Sequence, residues 1–301
     1  MTLKAKKPEV IKEGKPKFLI SGKSGVGKTF FALDFPGIYY IDSEGGAVRK
    51  QYIEKLVKNG GVYLGKEEGS QDFNTVIDEI KALTIEKHEY KTLIIDSFSH
   101  LYNLAAAKAE EKIGNDFGRD KKEANRPTRQ LLRWLENLDM TVVLICHYKD
   151  KWERKSGDLT CVGSTFDGFD KMEYILDLWI EAQKEGNKRA FVVKKSRIQS
   201  FQEGDRHSLD YDKFADLYGK EVIEKESAPF KLANSEQIEM LHQLMEVVRI
   251  EDSIIEKWIR AADVDTLEEM SSDQMEKCIK FLQNKLNALK PKESTKKETK
   301  K

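Results

Sequence analysis

The chain has 301 residues, 39% of them hydrophobic, enough for one sizeable α/β core plus a small appended unit. Its 52 basic and 52 acidic residues cancel to a formal net charge of +0, so bulk charge announces no nucleic-acid partner and any basic site has to be local. Cys146, Cys161 and Cys278 stand far apart without a CxxC pair, and no stretch approaches the roughly 20 apolar residues of a membrane helix, which argues against a zinc site, a disulfide framework and a spanning segment.

Three structural cysteines and an opening, MTLKAKKPEV, without the apolar run of an export signal fit a soluble cytoplasmic protein. Residues 1–15 are polar and Lys-rich and read as a flexible segment, and the ordered core is expected from Pro16. "PKFLISG" reads as a fully buried strand, "TFFALDF" as a helix stopping before Pro36, and "GIYYID" as a second buried strand. "DFNTVIDEIKALTIE" carries Phe73, Val76, Ile77, Ile80 and Leu83 at helical spacing, and "KTLIIDS" follows as a third apolar strand. "NRPTRQLLRWLENLD" predicts a helix with Pro127 in its first turn, and "MTVVLICH" a fourth strand. "KMEYILDLWIEAQ" and "RAFVVKKSR" alternate and read as edge or antiparallel strands. This order predicts a mostly parallel central sheet with helices on both faces, over residues 16–227.

Composition changes near Ser227 and Pro229. Beyond it, three segments open on Asn, Ser or Asp and carry apolar residues at 3–4 spacing, predicting a helical bundle over 228–290 with Met275, Ile279, Leu282 and Leu286 in its core. Ser271 and Gln274 have capping-box spacing. Residues 291–301 lack apolar side chains and read as a disordered tail.

"GKSGVGKT" (Gly22, Lys23, Ser24, Gly25, Val26, Gly27, Lys28, Thr29) matches G-x-x-x-x-G-K-[ST] in full, between a predicted strand and a predicted helix. Glycines let consecutive backbone N–H groups turn inward on phosphate oxygens; Lys28 would neutralise the β and γ phosphates, and Thr29 would ligate Mg²⁺. Asp96, at the end of "TLIID", is the expected acidic partner of the metal, the other reading being a cap for the following turn. Many P-loop ATPases place a glutamate directly after this aspartate, but here the next residue is Ser97. A base must then come from another strand. Glu44 in "YYIDSEGG" is the candidate, because strands of a doubly wound sheet end at one crevice. Asp42 is expected to cap the turn into Gly45 and Gly46 or to support the site from behind.

The ordered set "GKSGVGKT", "YIDSEGG", "TLIIDSFSHL", "VVLICHY" and "FVVKKSR" resembles the RecA/recombinase family of ATPases, and within it the compact RecA-like single-strand recombinases of phages, AAA-type nucleotide-binding proteins. The resemblance implies a RecA-type P-loop core with ATP and Mg²⁺ as cofactors, Lys28 and Thr29 on the nucleotide, Asp96 on the metal and Glu44 as the catalytic glutamate. It places His147 where the family carries a γ-phosphate-sensing glutamine, which is a departure, and a histidine satisfied by its neighbours is the alternative. It further implies a homo-oligomeric filament or ring on single-stranded DNA in the cytoplasm, the host's if the chain is phage-encoded, with a single-strand-binding protein as a further partner. In the family, the loops after the third and fourth strands bind DNA. Here they are "KIGNDFGRDKKEANR" and "YKDKWERKSGDLTCVGSTFDGF", in which Phe117, Tyr148, Trp152, Phe166 and Phe169 interleave with charge. Lys149, Lys151, Trp152, Arg154 and Lys155 are the DNA-binding candidates, and a plain solvated loop is the alternative. Lys194, Lys195 and Arg197 fall where RecA-like filaments reach the neighbouring subunit's ATP, or they form a basic strand end on the surface. The implied function is a DNA-dependent ATPase acting in homologous recombination or strand annealing. A helicase-type motor, a P-loop kinase, and a non-catalytic annealing or loading protein share parts of this pattern.

Overall fold

The computed structural model describes Ala5 and residues 14–113, 119–155 and 158–289. The continuous apolar runs form the interior strands, because a strand covered by helices on both faces needs apolar side chains on both. In chain order the first half runs β1 (Lys17–Ser21), α1 (Lys28–Ala32), β2 (Ile38–Asp42), α2 (Lys50–Lys58), β3 (Val62–Leu64), α3 (Phe73–Ile85), β4 (Thr92–Asp96), α4 (Phe98–Ile113), α5 (Arg119–Asn137) and β5 (Thr141–Ile145). A hairpin of β6 (Tyr148–Lys155) and β7 (Asp158–Phe166) follows, then α6 (Met172–Ile175), β8 (Leu178–Glu185), β9 (Lys188–Ser196), β10 (Arg206–Ser208), α7 (Tyr211–Tyr218) and α8 (Lys220–Glu224).

The central sheet has eight strands in the order β10-β9-β8-β1-β5-β4-β2-β3, and the hairpin is a separate sheet. From β3 to β8 every pairing is parallel; β9 runs antiparallel to β8 and to β10. The expected mostly parallel α/β architecture is therefore present. β5 lies between the strand that feeds the glycine-rich loop and the strand that ends in Asp96. Register then sets the functional geometry: Asp42 pairs with Asp96, Asp96 with Ile145, and Ile20 with Ile145. Four adjacent strands end at one level, so the residues just past them share one crevice. On one face of the sheet Phe18, Phe31, Phe35, Phe191, Phe201 and Phe214 form an aromatic core with centroid separations down to 5.0 Å, and on the other α3 buries Phe73, Val76, Ile77, Ile80 and Leu83.

Several sequence expectations need correction. β8 is an interior strand, parallel to β1 on one side and antiparallel to β9 on the other; its alternation reflects a shift from buried Leu178–Ile180 to a solvated end at Glu185. Pro127 lies inside α5, which starts at Arg119, because the charged first half of that helix has no apolar period to announce it. Residues 119–124 are thus helix rather than loop, and the second expected loop is the β6–β7 hairpin. Cys146 and Cys278 are buried, but Cys161 is exposed on β7 rather than part of the core.

The chain divides into two compact units, Met1–Pro229 and Phe230–Lys301. The second contains α9 (Ser235–Val248), α10 (Asp252–Ala262) and α11 (Ser272–Leu289) around Leu241, Met275, Ile279 and Leu282. Leu286 is only half-buried. Two capping boxes start its first and last helices: Asn234 and Gln237 bond reciprocally, and so do Ser271 and Gln274.

Candidate functional site: a phosphate cradle at the strand ends

The loop between β1 and α1 opens into a cleft of about 1010 Å³. Gly22, Lys23, Ser24, Gly25, Gly27, Lys28 and Thr29 all line it, and Val26 alone of the motif turns into the core. Two glycines are required by space and backbone angle. Gly22 has φ 145, and a Cβ there would lie 2.5 Å from the Ala182 carbonyl oxygen of β8; Gly27 has φ 106, and a Cβ there would meet the Arg189 side chain at 2.9 Å. Lys28 folds back over the loop, its Nζ donating to the carbonyls of Gly22 at 2.7 Å and Lys23 at 3.0 Å. Burial lowers the Lys28 pKa, against the opposing charges of Asp96 and Glu44.

Thr29 Oγ1 donates to Asp96 Oδ2 at 2.6 Å, and Tyr40 Oη donates to the same oxygen at 2.9 Å. Burial pushes the Asp96 carboxyl up to about 6, and these two hydrogen bonds work against that rise. A hydroxyl and a carboxylate held together beside a phosphate-sized cradle are the hard oxygen donors that suit Mg²⁺, which takes one or two protein ligands and completes its shell from phosphate and water.

Asp42 and Glu44 have separate tasks. Asp42 is 2% exposed; its Oδ1 accepts from the N–H groups of Gly45 at 2.8 Å and Gly46 at 3.0 Å, and its Oδ2 from Ala47 at 2.6 Å. It therefore caps the turn that carries Glu44 out of the sheet. Glu44 Oε1 accepts from Ser97 Oγ and lies 2.6 Å from His147 Nε2. Burial alone would raise the Glu44 pKa, but the hydrogen bonds from Ser97 and His147 and the charge of His147 outweigh it and hold the carboxyl below its ordinary range. Glu44, Asp96 and His147 line the same cleft as the loop.

Sequence reasoning missed further lining residues, Phe30, Arg49, Gln51, Tyr52 and Arg189, and Tyr148, read there as a DNA-loop aromatic, lines the cleft as well. Arg189 comes from β9, far along the chain, and no local pattern marks it. Phe30, directly after the motif and 48% exposed, could have been noticed as an apolar residue that the helix does not bury.

The remaining predicted residues lie elsewhere. Lys194 Nζ pairs with Glu181 at 3.2 Å, Lys195 donates to the Leu176 carbonyl, and Arg197 donates to the carbonyls of Tyr174 and Ile175. None of the three lines the cleft of its own chain. On the hairpin, Lys149 pairs with Asp167 at 3.5 Å and Lys151 with Glu153 at 3.3 Å, while Trp152 is 53% exposed and Arg154 is exposed. Lys155 ends β6. Phe166 and Phe169 are buried and cannot stack on a base, and Phe117 lies outside the described residues.

Residues 14–208 match the family model described as "AAA domain". The chain belongs to this AAA domain family. Its core carries the P-loop on a mostly parallel α/β sheet, and this family membership implies nucleotide-dependent activity. No curated protein sequence matches this AAA domain chain. Among solved structures it is similar to a RadB recombinase, with 15% identity and a TM-score of 0.40 over 64% of this chain and 86% of the other. It is also similar to an ATPase from the type III secretion system of pathogenic bacteria, with 13% identity and a TM-score of 0.38 over 91% of this chain and 81% of the other. Among the described residues no helix is long and apolar enough to cross a membrane.

Proposed function

We propose that this AAA domain protein is a single-stranded-DNA-binding ATPase of recombinase type, in which ATP with Mg²⁺ joins protomers into a filament or ring on DNA and hydrolysis resets the assembly for homologous recombination or strand annealing. The observation that carries the reading is the placement of Glu44: a carboxylate from the end of β2 sits in the P-loop cleft and is hydrogen-bonded to Ser97, the residue that follows Asp96. Among the described residues Glu44 Oε2 has no protein donor, so it is open to accept a hydrogen bond from water and orient it toward the γ-phosphate.

The backbone N–H groups of the loop and the Lys28 ammonium would hold the phosphates, Lys28 exchanging its two carbonyl partners for phosphate oxygens. Thr29 and Asp96, hydrogen-bonded to each other at 2.6 Å, would hold Mg²⁺ through the Thr29 hydroxyl oxygen and the Asp96 carboxylate. When bound, Mg²⁺ supplies charge neutralisation to the β and γ phosphates. His147, which bonds Glu44 and lines the cleft, would report on the γ-phosphate.

For DNA, the support is the hairpin strand that begins at Tyr148 on the rim of the cleft and carries exposed Trp152 along with Lys149, Lys151 and Arg154, Lys155 being the last residue of the strand. Cations tracking phosphates with an aromatic face for a base are what single strands bind. Lys194, Lys195 and Arg197 would serve a neighbouring protomer, and a single-strand-binding protein would hand over the DNA. ATP turnover with and without single-stranded DNA tests the reading. Stimulation of several-fold is expected, with binding that weakens as salt rises. Turnover indifferent to DNA, together with no salt-sensitive binding, would overturn it.

A further inference from the structure

Ser97 takes the position where many P-loop ATPases carry their own glutamate, and its N–H, carbonyl and hydroxyl are all hydrogen-bonded. It is 1% exposed. Its N–H donates to Ser43 Oγ at 3.0 Å, its carbonyl accepts from Ser43 Oγ at 2.9 Å, and its Oγ accepts from the N–H of His100 at 3.1 Å. Ser43 is itself fully buried and tied by its N–H to the Asp96 carbonyl at 2.8 Å.

With a lone pair of Ser97 Oγ engaged by His100, the single hydroxyl proton points to Glu44 Oε1. A carboxylate only accepts, so His147 Nε2, 2.6 Å from the same oxygen and 3.2 Å from Ser97 Oγ, must carry a proton toward it. Both donors thus load Oε1. Glu44 is on a turn, its side chain is 42% exposed, and a glutamate there would otherwise sample many rotamers. His147 is a less rigid support, being 48% exposed past the end of β5 and fixed through its backbone N–H to Ser99 Oγ at 2.8 Å.

We infer that Ser97 is a positioning residue: it clamps Oε1 of Glu44 so that Oε2 is the oxygen offered to the attacking water. The inference rests on the reading of Glu44 as the water-orienting group, and it adds which atom does the orienting and what fixes it. It also accounts for the serine after Asp96. A glutamate at that position would repel Glu44, whereas a short donor fixed on three sides directs a base supplied by the neighbouring strand.

Replacing Ser97 by Ala leaves the nucleotide contacts intact and frees Glu44. The expected result is a fall in kcat of about 10–100-fold with KM changed less than about twofold, since misplacing a catalytic group by roughly 1 Å has effects of that size. Ser97→Cys, of similar volume but a weak donor, is the second variant should Ala fail to fold, and it should also lower kcat. In a Glu44→Gln background Ser97→Ala should remove nothing further, because both changes act through one carboxylate. An unchanged kcat in the folded Ala or Cys variant, or a full additional loss on top of Glu44→Gln, would overturn the inference. The clamp is also visible without turnover: in a crystal structure of Ser97→Ala, Glu44 should leave its place, and Glu44 found unmoved against His147 overturns it. That readout separates the two readings, because wild-type turnover in Glu44→Gln alone would reject the water-orienting role of Glu44 and not the contact.

Discussion

The strand-end rim and the β6–β7 hairpin belong to the same unit and adjoin the same cleft, yet they are built on opposite principles. At the rim nearly every polar atom has a fixed partner: Asp42 holds three backbone N–H groups, Asp96 accepts from Thr29 and Tyr40, and Ser97 bonds through its N–H, carbonyl and hydroxyl. On the hairpin Lys149 and Lys151 make half-exposed surface ion pairs with Asp167 and Glu153, and Trp152 is exposed. Phosphate chemistry needs groups in place before the substrate arrives, and low local dielectric makes each contact count. A DNA strand of arbitrary sequence needs mobile cations and a flat ring, whose contribution is collective and screened by salt. Substitutions at the rim should therefore act singly and sharply, and those on the hairpin weakly and in sum.

The largest effect is expected from Lys28→Ala, which removes the ammonium that folds over the loop onto the Gly22 and Lys23 carbonyls and should lower nucleotide affinity by at least about 100-fold in calorimetric titration. An unchanged affinity would place the nucleotide elsewhere. Next is Asp42→Ala. It removes the buried acceptor of three N–H groups, of which that of Ala47 is itself buried, and should destabilise the protein by about 1–3 kcal/mol in chemical denaturation, with Asn recovering part of the loss. A loss comparable to that of an ordinary surface substitution would mean that the turn stands by itself.

Asp96 gives a pH test on the metal-free protein. Its folded pKa of about 6 lies above the unfolded carboxylate value, so the native state holds the proton more tightly. Its contribution to stability is fully present below about pH 4 and is lost as pH rises through about 6, a change on the order of 2–3 kcal/mol that Asp96→Asn should erase. The opposite slope would show that Asp96 is held as a carboxylate. Smallest is the hairpin: Lys151→Ala with Trp152→Ala should weaken single-strand binding roughly tenfold and reduce its salt slope by about 0.7. A slope that does not move would shift the DNA surface away from β6.

The same contrast explains what could be read from the sequence. Buried parallel strands write themselves as apolar runs, and their common register follows from the sheet, so "FLIS", "YYID", "LIID" and "VVLI" were legible as strands ending near one another. The parallel pairing of β8 with β1 was not, because an alternating strand looks the same in either direction. The acidic tips Asp42, Glu44 and Asp96 were visible, but the division of labour between Asp42 and Glu44 depends on which backbone N–H groups turn back toward the carboxylate. Arg189 reaches Gly27 only through the β8–β9 turn, a contact with no local signature. On the surface, charge-rich segments look alike whether they are helix or hairpin; residues 119–124 and 148–155 show the two outcomes.

The central claim, that the carboxylate at the end of β2 performs the chemistry of this P-loop, is tested most directly by Glu44→Gln. Single-turnover ATP hydrolysis and nucleotide affinity should be measured side by side on the same preparation. The account predicts a rate lower by about 10²–10⁴-fold with affinity essentially kept, since Lys28, Thr29 and the loop are untouched. Hydrolysis at the wild-type rate in Glu44→Gln would contradict it.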